Sequence, residues 1–172
     1  MSKGVFNVPI ATNEPVLSYA PGTPEREEVL ATYKNMYNSQ VDVPMYIGSE
    51  QIMTDNKKTI TPPHDRHHVI GHFSYGDNNH VNQAIDEALK AREAWANMPW
   101  EHRVSIFLKA ADLLAGPFRA KINAATMIAQ SKNVFQAEID AACELIDFFK
   151  FNAEYVTPVS YTHLTLTTNT VV

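Results

Sequence analysis

The chain has a single cysteine in 172 residues, so no disulfide can form within it. Glycine is also scarce, at six residues, and none of them builds a G-x-G-x-x-G or G-x-x-x-x-G-K-[ST] pattern. No phosphate-cradling loop of either kind is therefore present. Basic residues are outnumbered, 14 against 19 acidic ones, for a net charge of −5 with the signs interspersed. No basic stripe points to nucleic acid. No apolar run approaches the roughly 18 residues of a membrane span, so no membrane partner is expected. Residues 1–15 show neither an apolar signal core nor the Arg-rich pattern of a transit peptide. A cytoplasmic protein about the size of one domain is the default expectation.

What is present is mostly helical periodicity. Residues 1–22 are punctuated by Pro and Gly and read as an extended arm. Thr23 and Pro24, followed by Glu25 and Glu27, predict an N-cap, a first helical position and an acidic first turn, with the helix running to about Ser39. Residues 43–47 and 51–53 flank Gly48 and Ser49, a hairpin turn. Residues 58–61 and 68–75 read as further short strands, kept apart by Pro62 and Pro63. A helix from about Asn79 to Asn97 carries Val81, Ala84, Ile85, Ala88, Leu89, Ala91 and Trp95 near one face. The next, from Pro99, carries Val104, Phe107, Leu108, Ala111, Leu114 and Ala115; Gly116 and Pro117 end it and open another, to about Gln130. After a turn at residues 131–133, a last helix to about Tyr155 is expected to bury Phe135, Ile139, Ala142, Ile146 and Phe149.

Several residues invite a chemical reading. Cys143 sits mid-helix among apolar neighbours, with no His or amide cradle suggested, and reads as a small core residue rather than a nucleophile. His64, His67, His68 and His72 cluster, and His68 and His72 share a face if both lie on one strand. Only Asp65 is near, so a polar loop leading into a strand is the better reading and no metal site is assigned. Gly116, Pro117 and Arg119 read as turn chemistry, as do Gln130, Ser131 and Lys132. Trp95 and Trp100 read as packing anchors. Asp140, Glu144 and Asp147 fall at i, i+4 and i+7, an acidic stripe that on spacing alone is a solvated helix face.

The strand–turn–helix succession over residues 69–95, the R-x-x-x-F-x-x-A pattern of Arg103, Phe107 and Ala110, and the wording FLKAAD, AGP-x-R and QAEIDAA-x-ELIDFF-x-FN resemble the aldehyde dehydrogenase superfamily. Within it they are most similar to the 1-pyrroline-5-carboxylate (L-glutamate γ-semialdehyde) dehydrogenase branch. The resemblance covers roughly residues 10–156. It implies an α/β parent fold of which this chain is the N-terminal third. By itself the segment should be mainly α-helical, with a few short strands and a hairpin. Its apolar helix faces would then be left uncovered and prone to aggregate. The implied reaction is NAD-dependent oxidation of a small-molecule aldehyde, L-glutamate γ-semialdehyde, to L-glutamate in proline degradation, by an enzyme that forms a homo-oligomer.

The catalytic Cys, the water-directing Glu and the dinucleotide-binding strands of such an enzyme are not in this sequence. No catalytic or cofactor-binding residue is assigned, and the chain alone is expected to be inactive. The resemblance also sets the last helix beside the substrate entrance, where a carboxylate favours the substrate's ammonium group. Glu144, flanked by Phe148 and the small Ala141, is the substrate-binding candidate.

Residues 157–172 change character: Thr- and Val-rich, with no Asp, Glu, Lys or Arg. Pro158 to Leu166 resembles the translation of a sequencing-library adapter, so this tail is expected to be foreign to residues 23–156. The rival reading of the tail is a Thr-rich edge strand. For the whole chain, the rivals are an interaction module that binds full-length subunits through its arm and hairpin, and an independent helical binding domain.

Overall fold

The structure is a computed structural model that describes the backbone of residues 7–166 and the side chains of residues 7–156. The expected arm lies within it from residue 7, and the last six residues of the tail lie outside it.

Helix α1 spans Pro24–Tyr37. Thr23 is its N-cap residue, but its hydroxyl donates backwards to the Ala20 carbonyl at 2.9 Å instead of accepting from the helix. Proline at the first helical position starts the helix without that bond. The helix stops two residues short of Ser39, because the Asn38 side chain donates to the Lys34 carbonyl at 2.7 Å and closes the last turn.

The strand expected over residues 43–47 is two strands. Pro44, which has no N–H to give to a ladder, separates β1 (Val41–Val43) from β2 (Met45–Ile47). β2 pairs antiparallel with β3 (Glu50–Ile52) around Gly48, whose φ of 59° supplies the hairpin turn. β1 joins a separate sheet of order β1-β5-β4, with β4 at Lys57–Ile60 and β5 at Gly71–Ser74. β5 lies antiparallel to β4 and parallel to β1, with Gly71 opposite Val41. Gly71 has φ 153°, and a Cβ there would stand 1.9 Å from the Val41 carbonyl oxygen. Only glycine lets these two backbones meet.

The helical layer follows. α2 (Asn78–Asn97) opens on Asp77, whose carboxylate accepts from the Asn79 and His80 amides, while His80 Nδ1 accepts from the Asp77 amide. α3 covers Trp100–Ala115 and α4 covers Arg119–Gln130. One continuous rod then runs as α5 (Val134–Ala137), a π-helical turn at Glu138–Cys143, and α6 (Glu144–Leu166). Its backbone stays helical past Pro158, where the strand reading of the tail would have it extended.

The core sits where α3 meets the rod: Ala111, Ala142 and Ile146 are buried, with Leu114, Ala115, Ile122 and Phe149 packed around them. The expected stripe of α3 is buried only at Val104 and Ala111, and Phe107 stays largely exposed beside the ring of Phe149. Phe135 and Ile139 face solvent at 54 % and 46 % exposure, against expectation. The π turn inserts a residue between them and Ile146, so one apolar stripe cannot continue through it. α2 buries nothing: Val81, Ile85, Leu89 and Trp95 of its apolar face are exposed. The fold is thus the mainly helical, few-stranded assembly expected, with one helix face uncovered.

Candidate functional site

The densest polar chemistry lies under the arm. Glu138, the first residue of the π turn, is 0 % exposed. Its Oε1 accepts from Arg119 Nη2 at 2.5 Å and from the Leu17 amide at 2.9 Å. Its Oε2 accepts from the Tyr19 hydroxyl and from Asn123 Nδ2, each at 2.8 Å, and from Arg119 Nε at 3.3 Å. Arg119 extends the network to the arm, donating to Glu14 Oε1 at 2.5 Å and to the Pro15 carbonyl at 2.7 Å. Lys150 reaches the other Glu14 oxygen at 2.6 Å. Arg119 and Glu138 form a buried ion pair, and Glu14 and Lys150 extend it toward the surface, so that two cations and two carboxylates neutralise each other.

Protonation follows from that arrangement. Burial alone would raise the Glu138 pKa, but Arg119, the Leu17 amide, Tyr19 and Asn123 outweigh it and hold the carboxyl below its ordinary value. Glu14 is held low in the same way, against burial, by Lys150 and Arg119. Burial and then the Glu138 carboxylate push the Tyr19 phenol well above its usual range. Arg119, whose burial opposes charge, is held protonated by Glu138 and Glu14. The network also explains a strained backbone: Tyr19 adopts φ 49°, unusual for an aromatic residue, and its buried hydroxyl bond holds it there.

The rest of the arm is fastened along the rod. The Glu14 amide donates to Asp147 Oδ1 at 2.7 Å, Asn13 Nδ2 to Asp147 Oδ2 at 2.7 Å, and the Ala11 amide to Glu154 Oε2 at 2.8 Å. The expected acidic stripe is therefore split among three different surroundings. Asp140 pairs with Lys132 at 2.6 Å, Asp147 holds the arm, and Glu144 is left exposed on the open side of α6. There Glu144 borders a hollow of about 330 Å³ whose walls are Asp147, Phe148, Phe151, Asn152 and Tyr155. A second hollow of about 670 Å³ shares Phe148, Asn152 and Tyr155 and continues between α6 and α3, past Trp95, Trp100 and Phe107. An exposed carboxylate beside aromatic side chains can attract a cationic group.

The other singled-out residues have different places. Arg119 is not turn chemistry; it is the central cation of the clamp. No pattern of periodicity marks it, although its distance from Gly116 put it just inside a helix start. Cys143 is buried as expected, though its neighbours are polar: its thiol lies 3.7 Å from Glu138 Oε1 and 3.9 Å from the Pro15 carbonyl. Burial, then the Glu138 charge, push it up to about 11, so it stays a thiol. His68 and His72 do not share a strand face, because His68 precedes β5 and His72 lies within it. His68 Nε2 donates to the Tyr37 carbonyl at 2.5 Å and its ring stacks on Tyr37. His64 Nδ1 lies 2.8 Å from the hydroxyl of Ser131, the left-handed cap of α4, and His72 pairs with Asp42. Trp95 and Trp100 line the larger hollow.

Among the described residues, the one strand-to-helix junction, β5 to α2, has the Asp77 carboxylate on the helix N-terminus, where a phosphate would be repelled. The donors of Arg119 are already taken by Glu138, Glu14 and Pro15.

Comparison with known proteins gives this geometry its context. The aldehyde dehydrogenase family pattern matches residues 51–172. A delta-1-pyrroline-5-carboxylate dehydrogenase of Agaricus bisporus is 45 % identical over 152 residues, covering 88 % of this chain and 28 % of that protein. The mitochondrial delta-1-pyrroline-5-carboxylate dehydrogenase of Homo sapiens is 46 % identical over 143 residues, 83 % of this chain and 25 % of that one. The chain thus spans about a quarter of the length of these curated relatives. Among solved structures, the Mycobacterium tuberculosis delta-pyrroline-5-carboxylate dehydrogenase bound with NAD and cobalamin superposes with a TM-score of 0.89. It is 39 % identical, over 92 % of this chain and 30 % of that one.

Proposed function

The chain belongs to the aldehyde dehydrogenase family, and from that premise we propose that it is the N-terminal part of a 1-pyrroline-5-carboxylate dehydrogenase. The whole enzyme would oxidise L-glutamate γ-semialdehyde to L-glutamate with NAD as acceptor, in proline degradation. The observation that carries this reading is the 46 % identity over 143 residues to the human enzyme of that name. What supports a recognition role is that Glu144, an exposed carboxylate, borders a hollow walled by Phe148, Phe151 and Tyr155, a chemistry suited to an ammonium group on a short carbon chain.

In this reading the described residues supply recognition and scaffolding. The arm and its clamp hold the rod, the rod presents Glu144, and the thiolate, the water-directing acid and the dinucleotide strands come from elsewhere in the enzyme. The chain alone should then form no NADH from L-glutamate γ-semialdehyde, whereas the full-length enzyme containing it should do so at an ordinary enzymatic rate, about 1–10³ per second. Turnover by the chain alone, or none by the full-length enzyme, counts against the proposal.

The interaction-module reading has less surface to work with. Arm residues Ala11, Asn13, Glu14, Leu17 and Tyr19 are bonded to the chain's own helices, which leaves the hairpin for a partner. Residues 157–172 stay outside the proposed site on their adapter-like wording. The family match extends through them, so sequencing the source DNA across residues 156–157 decides their origin.

A further inference from the structure

The rod turns five residues toward the arm and its clamp: Glu138, Cys143, Asp147, Lys150 and Glu154. Their intervals are five, four, three and four. A helix of 3.6 residues per turn keeps a face at intervals of three and four only. The interval of five coincides with the π-helical turn Glu138–Cys143, which holds one residue more than an α turn. Were the turn α-helical, Ala142 would follow Glu138 on that face. Everything from Cys143 onward would then be rotated by about 100°. Asp147, Lys150 and Glu154 would leave the arm, and Glu144, Phe148 and Tyr155 would leave the hollow they border.

A π turn is rare and needs an external reason to persist. Here the reason is visible at its first residue. The Glu138 carboxylate takes five hydrogen bonds from two other elements: Arg119 and Asn123 on α4, and Leu17 and Tyr19 on the arm. At the turn's last residue, Cys143 Sγ lies 3.5 Å from Arg119 Nη2, so both ends of the turn meet the same guanidinium. We propose that the π-helical turn, pinned through Glu138 between Arg119 and the arm, sets the rotational phase of α6 and thereby aims Glu144 at the substrate. Glu138 is then a positioning residue, and the arm is part of the substrate-recognition apparatus. This rests on the reading of Glu144 as the contact to the substrate's ammonium group.

The test uses the full-length enzyme with two aldehydes, L-glutamate γ-semialdehyde and the uncharged propanal. Glu144→Gln serves as reference. Glu138→Gln keeps the shape of the carboxylate but breaks its charge pairing with Arg119. It should raise KM for the amino-acid aldehyde about two- to five-fold, the range for loss of one partly solvated charge contact, with kcat and propanal kinetics little changed. Equal losses on both aldehydes, or a fall in kcat alone, overturn the proposal and leave Glu138 a structural residue. If Glu138→Gln does not accumulate, Tyr19→Phe removes one hydroxyl from the carboxylate and should give the same selective change at smaller size.

Hydrogen exchange over residues 139–147 separates the role of Glu144 from that of the turn. If Glu144→Gln discriminates nothing but Glu138→Gln alters exchange across the turn, the role of Glu144 fails and the phase-setting turn stands. If exchange is unaltered by Glu138→Gln, the turn is not held by this carboxylate and the proposal fails.

Discussion

Replacing Arg119 by leucine is the sharpest perturbation of the clamp. Arg119 donates to Glu138 through two nitrogens, to Glu14 and to the Pro15 carbonyl, and only 9 % of its side chain is exposed. Leucine fills much of the same space but leaves Glu138, fully buried, with no cation beside it. Breaking a buried pair from one side costs about 3–5 kcal/mol, because the remaining charge must be neutralised or hydrated. A domain of this size has only about 5–15 kcal/mol in total. The expected result is a drop in melting temperature of about 6–20 °C, with a matching fall in the urea midpoint followed by the fluorescence of Trp95 and Trp100. Combining Arg119→Leu with Glu138→Gln should cost at least about 1 kcal/mol less than the sum of the two single changes, since the second removes the stranded charge. A loss below about 1 kcal/mol for Arg119→Leu alone, typical of a solvated surface pair, would refute the buried-clamp reasoning.

Three further outcomes follow from the same structure. Glu14 and Glu138 both have pKa values below their ordinary 4.5, so the folded chain binds fewer protons than the unfolded one around that pH. Their contribution is complete above about pH 5 and is lost as pH falls through the lowered folded values, so the urea midpoint should be flat from about 7 to 5 and drop below; a midpoint that rises on acidification contradicts this. Cys143, buried and with its pKa near 11, should resist thiol reagents at neutral pH until denaturant is added, and prompt labelling of the native chain would count against its placement. Gly71→Ala puts a Cβ 1.9 Å from the Val41 carbonyl and should cost about 2 kcal/mol or more, read as a thermal shift; an unshifted melt would mean that β1 and β5 are not paired in this register.

Much of this architecture is legible in the residues. Pro24 marks the start of α1, and Gly48 with Ser49 marks the hairpin, because a fixed proline φ and positive-φ turns depend on local chemistry alone. That Glu144 and Phe148 neighbour each other on the last helix follows from their i, i+4 spacing. The split at Pro44 was open to the same local logic: a proline within a short apolar run removes a ladder donor and lets the chain change sheets. The clamp is harder to see. Arg119, Glu138, Glu14 and Tyr19 are far apart in sequence, and nothing local says that a glutamate between apolar residues is buried.

The π turn is hidden for a different reason. Periodicity fits three- and four-residue intervals on either side of it, so one extra residue reads as slack in a single stripe. That is why Phe135 and Ile139 were expected in the core with Ile146, and why Asp140, Glu144 and Asp147 looked like one face. The signal that could have found it is the five-residue interval from Glu138 to Cys143, followed by the regular spacing of Asp147, Lys150 and Glu154.

If Glu144 selects an aldehyde with a cationic head, the ratio of kcat/KM for L-glutamate γ-semialdehyde to that for propanal reads it directly. In the full-length enzyme, Glu144→Gln should lower this ratio about two- to five-fold through the amino-acid aldehyde alone. A ratio unchanged by the substitution, with both aldehydes oxidised as before, would contradict the account.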